Sequence, residues 1–170
     1  MLFKQLRTLR LPDMLTLIGL LSVSFSVYFS FKGLLAVAYF FIITQFILDY
    51  YDGKLARAVG GGVLGVYLDS FTDFMAVASS IVIGWFLGIN GIVMLIAEFL
   101  NVGAASIRLA YFTAYKQNGF TGIPTVLASS GISTIAFAGH LLFPAYLAWL
   151  VIFYFISAAA MISDLHLKKL

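Results

Sequence analysis

The residues able to do chemistry are concentrated between Asp49 and Asp73. The stretch reads Asp49-Tyr50-Tyr51-Asp52-Gly53-Lys54-Leu55-Ala56-Arg57, then seven residues, then Gly65-Val66-Tyr67-Leu68-Asp69-Ser70-Phe71-Thr72-Asp73. Four of the chain's seven acidic residues lie here, in a sequence that is 62% hydrophobic and 10% charged. An ionised Asp near the centre of a membrane helix costs about 2.5 to 3.5 kcal/mol, so four together cost on the order of 10 kcal/mol unless cations compensate. On helices, Asp49 and Asp52 are i,i+3 neighbours and Asp69 and Asp73 are i,i+4 neighbours, so each pair projects from one face. Two facing helices then bring four carboxylates to one point. All-oxygen ligation without Cys or nearby His suits Mg²⁺ or Mn²⁺, and four carboxylates can hold two such ions about 4 Å apart, an arrangement fit for phosphoryl chemistry. Gly53, Ala56 and Gly65 remove bulk where a ligand approaches the backbone, and Arg57 supplies a positive fork for a phosphate.

The elements that must position these groups are membrane helices. A charged fraction of 10% and a mean hydropathy of +1.05 exclude an ordinary soluble domain, where about a quarter of residues are charged. The length of 170 residues accommodates about six membrane helices and little else. Six apolar segments are predicted near 14–31, 34–55, 63–87, 92–115, 123–142 and 145–162, separated by Lys32-Gly33, Gly60-Gly61-Gly62, Asn90-Gly91, Asn118-Gly119 and Pro144. Short connections make neighbours antiparallel hairpins. The fold class is an all-α integral membrane protein: an amphipathic juxtamembrane helix over 1–12, carrying Lys4, Arg7 and Arg10 and closed by Pro12, then a six-helix domain over 13–170.

Nine of the ten Lys and Arg residues fall on one side of this topology, with Lys32 alone opposite. The bias predicts a multi-pass protein of the cell membrane with both termini and the carboxylates toward the cytoplasm, within reach of water-soluble molecules. The net charge of +3 is scattered along a hydrophobic chain and gives no nucleic-acid footprint. Absence of Cys removes disulfides and thiolate metal sites from consideration.

Other polar positions have narrower readings. Asp13 suits an N-cap, with Thr16 three residues on. Glu98, Asn101, Ala105, Arg108 and Phe112 share one face of the fourth helix, and Arg108 near its cytoplasmic end is a cation able to hold a carboxylate or phosphate, with Lys116 farther along. Gly84-x3-Gly88 permits close packing inside the bundle or a homodimer contact. His140 and His166 lie away from the carboxylates, in interfacial or solvated positions.

The pattern Asp-x2-Asp-Gly-x2-Ala-Arg-x7-Gly-x3-Asp-x3-Asp resembles the signature of the CDP-alcohol phosphotransferase family. The resemblance implies an integral membrane enzyme that attacks a CDP-linked lipid with a small alcohol and releases CMP, with Asp49, Asp52, Asp69 and Asp73 holding two Mg²⁺ or Mn²⁺ ions. It further implies that Asp73 takes the proton from the acceptor hydroxyl, and that Gly53, Ala56, Arg57, Gly65, Asp13 and Thr16 serve the CDP-lipid. Asp13 stands where the family usually has Asn. The run Ile107-Arg108-Leu109-Ala110-Tyr111-Phe112 and the later Gly122-Ile123-Pro124-Thr125 are similar to segments of the serine-using branch, the phosphatidylserine and archaetidylserine synthases, with Tyr111 in place of a frequent second Arg. L-serine is therefore the expected acceptor, bound by Arg108 and Lys116. Glycerol 3-phosphate or an inositol phosphate is the alternative, and an ion transporter or channel a distant one.

Overall fold

Arg10 is extended (φ −105°, ψ 171°), and the first helix, α1, runs from there over Leu11–Phe31. Pro12 belongs to the first turn of α1, where a missing N–H costs nothing. Asp13 is not the N-cap: it lies one turn inside, and its carboxylate accepts the Arg10 backbone N–H at 2.8 Å. The computed structural model describes residues 8–89, 91–115, 120–143, 151–163 and 166–167, so most of the expected amphipathic segment over 1–12 lies outside the described residues.

Five further helices follow: α2 Leu35–Val59, α3 Val63–Phe86, α4 Ile92–Tyr115, α5 Thr125–Leu142 and α6 Val151–Met161. Helices α1 to α5 are long and apolar enough to cross a membrane, whereas the described part of α6 has 11 residues. The chain is accordingly a multi-pass membrane protein in its helix lengths and composition. Two-residue strands, β1 Phe120–Thr121 and β2 His166–Leu167, pair antiparallel beside the α4–α5 connection.

Helix α2 runs a turn beyond the predicted end at residue 55, which puts Ala56 and Arg57 on the helix itself. It stops at Gly60, whose φ of +85° is open to glycine and strained for other residues. The Arg10 guanidinium donates to the Gly60 and Gly61 carbonyls, each at 3.2 Å, and so ties the start of α1 to the α2–α3 turn.

The bundle is apolar outside and polar within. Phe40, Phe71, Phe99 and Ile92 face outward, while Ser22, Ser26, Ser79, Asn101 and Thr125 are buried. In lipid the hydrophobic effect does not drive helices together, so close packing of small residues and interhelical hydrogen bonds carry more of the association. Ser22 and Ser26 of α1 donate to the Phe41 and Ala38 carbonyls of α2, both at 2.8 Å, and Ser79 of α3 donates to Ser26 at 2.8 Å. Asn101 fastens α4 to α6: its amide donates to the Tyr154 carbonyl and its oxygen accepts from Ser157 at 3.1 Å. An apolar core of Ile42, Ile83, Met94, Ala97, Ile132 and Tyr154 fills the bundle on the side away from the aspartates.

Gly84 is used inside this core. A side chain there would strike the Tyr154 hydroxyl, which donates to the Ser80 carbonyl at 2.9 Å. Gly88 lies past the end of α3 at Phe86, so the two glycines do not form one helical stripe.

Candidate metal and phosphate site

The short Gly60–Gly62 turn folds α3 back against α2 and brings the aspartate motif together. Asp49 of α2 and Asp69 and Asp73 of α3 each place a carboxylate oxygen within 4.8 Å of the other two. Carboxylates that close repel one another unless cations or protons intervene. Asp73 is buried, and its two oxygens have different surroundings. One accepts the Thr125 hydroxyl at 2.6 Å, and the other, Oδ1, is buried with no hydrogen-bond partner. Three hard oxygen donors around an unsatisfied buried acceptor fit a divalent cation of the Mg²⁺ or Mn²⁺ type.

Asp52 lies just outside this 4.8 Å grouping. It is buried one turn along α2 and accepts the Thr16 hydroxyl of α1 at 2.6 Å. Three of the four expected carboxylates thus meet within 4.8 Å, and the fourth, hydrogen-bonded to Thr16, stands beside them within electrostatic reach of each. Asp52 faces a cleft of about 120 Å³ lined also by Pro12, Asp13, Thr16, Gly53, Ala56, Gly62, Gly65 and Asp69. Asp69 belongs both to this cleft and to the carboxylate cluster, so the two are one continuous site.

The glycines of the cleft have distinct tasks. Gly53 leaves its wall open, since the nearest atom to a side chain placed there is the Arg57 guanidinium at 3.9 Å. Arg57 itself is exposed and does not line the cleft; it stands over Gly53 at the edge. Gly65 lines the cleft and at the same time makes room for Asp13. A side chain there would collide with the Asp13 carboxylate, and one at Gly62 would come within 2.9 Å of it. These two glycines seat Asp13 against the start of α3, and Gly53 and Ala56 remain as the open wall.

Arg108 of α4 is half-buried within electrostatic reach of Asp73, and its Nε has no partner. Lys116 lies outside the described residues. Of the polar stripe on α4, Asn101 is committed to α6 and Glu98 has a buried, unpartnered oxygen far from the aspartate cluster. Two residues that touch the site had no role assigned from sequence. Thr125 was visible only as part of Gly-Ile-Pro-Thr, and Arg10 only as one more positive charge. A threonine directly after proline at a helix start was the available signal for the first; nothing local marks the second.

A model of the CDP-alcohol phosphatidyltransferase family matches residues 9–164. Comparison with curated proteins gives no match.

Proposed function

Because the chain belongs to the CDP-alcohol phosphatidyltransferase family, whose members are transferases acting on substituted phosphate groups in phospholipid biosynthesis, we propose that it moves a phosphatidyl-type group from a CDP-lipid to L-serine and releases CMP. The observation that carries this is the double membership of Asp69, which joins the cleft bearing Gly53 and Ala56 to the cluster bearing Asp73. A donor lying in the cleft meets the carboxylate cluster at its reacting end.

The residues divide the work by position. The open wall at Gly53 and Ala56 takes the cytidine, and Arg57 above it pairs with phosphate charge. Thr16 holds Asp52 at the cleft side, and Asp13, tied to the Arg10 N–H, shapes the floor. A pair of Mg²⁺ or Mn²⁺ ions held by Asp49, Asp52, Asp69 and Asp73 supplies Lewis-acid stabilisation of phosphate charge when bound. Asp73 Oδ1, unpartnered, takes the proton from the acceptor hydroxyl, with Arg108 within electrostatic reach of the carboxylate. The acceptor oxygen forms its bond to the lipid-attached phosphorus, the bond from that phosphorus to the bridging oxygen breaks, and CMP leaves with the negative charge.

The acceptor assignment rests on Arg108. Serine brings one carboxylate into a site already rich in negative charge, and one guanidinium beside Asp73 matches it. Among the described residues Arg108 is the cation that faces Asp73, whereas a phosphorylated acceptor, with about two charges, calls for more. The site opens to the cytoplasm in this proposal. Arg10, Lys54 and Arg57 gather at its end of the bundle and Lys32 sits at the other, as the positive-inside bias requires. The sixth span and the homodimer belong to the same proposal, the dimer without Gly84 as its contact because Tyr154 fills that place.

The test is CMP release by purified protein from CDP-diacylglycerol and from CDP-archaeol, with Mn²⁺, across L-serine, glycerol 3-phosphate and inositol phosphate. Serine-dependent CMP is expected. Turnover with glycerol 3-phosphate and none with serine would overturn the acceptor and leave the family.

A further inference from the structure

Asp73 is held from outside its own hairpin. Its partner, Thr125, is fully buried as the first residue of α5, and the hydroxyl donates to the carboxylate at 2.6 Å. What fixes Thr125 is the segment before it. The Ile123 N–H donates to the Ala160 carbonyl of α6 at 3.1 Å. Gly122, buried with a φ of +73°, lies so close to the Met161 carbonyl that any side chain would collide with the backbone there. Beyond it, β1 pairs with β2, Phe120 opposite Leu167 and Thr121 opposite His166. Three successive attachments therefore brace the start of α5 on the end of α6, two helices removed from the aspartate motif.

We propose that Thr125, set by this brace, is a positioning residue for Asp73: by occupying one carboxylate oxygen it fixes the rotation of the group and keeps Oδ1 turned free for the site. The inference rests on the role given to Asp73 above. A carboxylate with one oxygen held by a short charge-assisted bond cannot exchange its two oxygens by rotation without breaking that bond. Removing the hydroxyl leaves the carboxylate free to turn, and leaves a buried acceptor unpaired. Thr125 is not among the residues lining the cleft, so the donor's contacts at Gly53 and Ala56 stay in place when it is lost.

Four variants in detergent-purified protein separate the possibilities: Thr125→Val, of equal shape without a donor; Thr125→Ser, which keeps the donor; Gly122→Ala, which disturbs the brace; and Asp73→Asn. CMP release is measured with whichever acceptor supports turnover, and Mn²⁺ affinity is measured separately by EPR titration. Thermal unfolding checks that each variant is folded. At saturating Mn²⁺, Thr125→Val should lower kcat by about tenfold to a hundredfold with the KM for CDP-lipid unchanged, and in the separate titration Mn²⁺ affinity should fall several-fold. Thr125→Ser should recover most of both losses. Gly122→Ala should reproduce the kcat loss while leaving the donor KM in place. If Asp73→Asn is inactive yet Thr125→Val keeps normal kcat and Mn²⁺ affinity, the positioning role is wrong and the role of Asp73 stands. If Asp73→Asn turns over normally, both fall. Equal losses in the Val and Ser variants would point to packing by the methyl group and also overturn the inference.

Discussion

The two flanks of the carboxylate cluster are built in opposite ways. On the α1 flank the acidic side chains are already engaged: Asp13 accepts from Arg10 and is enclosed by Gly62 and Gly65, and Asp52 accepts from Thr16, while the one unpartnered group there among the described residues is the Gln45 amide, packed deeper against Gly19. On the α4–α5 flank bonding capacity is left over, at Asp73 Oδ1 and at Arg108 Nε. Buried polar atoms are costly to leave unpaired, so a flank that keeps them is suited to a partner that brings its own donors and acceptors. A finished surface suits the large donor, whose position needs fixing. An unfinished one suits a small polar acceptor, which completes it on arrival.

The largest way to break this contrast is at its junction. Asp69→Asn keeps shape but removes charge from the one residue shared by cleft and cluster, so turnover should fall by several orders of magnitude while the protein still inserts and purifies. CMP release and detergent gel filtration together check it. Next in size, Arg108→Ala should raise the acceptor KM by about tenfold to a hundredfold and leave the CDP-lipid KM nearly unchanged, because it subtracts a charge-assisted contact from the unfinished flank alone. A donor KM that rises instead would place Arg108 with the nucleotide. Thr16→Val makes the mirror-image change. It should raise the CDP-lipid KM by about tenfold, through loss of the bond to Asp52, with the acceptor KM intact.

The smallest effect concerns stability. Gly65→Ala forces a methyl group onto the Asp13 carboxylate, an overpacking worth about 1 to 3 kcal/mol, and should lower the Tm by several degrees. An unchanged Tm would show that Asp13 has room to move, and that the α1 flank is less finished than its contacts indicate.

The same contrast explains what could be read from the residues alone. The α2–α3 hairpin was legible because its ligands are adjacent in sequence and helical spacing fixes their faces, so Asp49, Asp69 and Asp73 converge as expected. Helix positions were legible too, since 18 to 25 apolar residues between glycine turns have little alternative in a bilayer. What escaped were contacts between distant segments. Asp52 is hydrogen-bonded to a threonine 36 residues earlier, and Asp13 packs against Gly65. Pro12 sits in the first turn of α1, directly after an extended Arg10, a boundary that sequence alone placed only approximately. Thr125 reaches Asp73 across 52 residues through a brace on α6 that no local pattern announces.

The most direct test of the central claim is metal dependence of CMP formation at the junction. Purified protein stripped with EDTA should release no CMP from CDP-lipid, recover on adding Mn²⁺ or Mg²⁺, and fail to recover when Asp69 is replaced by Asn. Undiminished CMP release in EDTA, or full recovery in the Asp69→Asn variant, would contradict a metal-assisted transfer at this cluster.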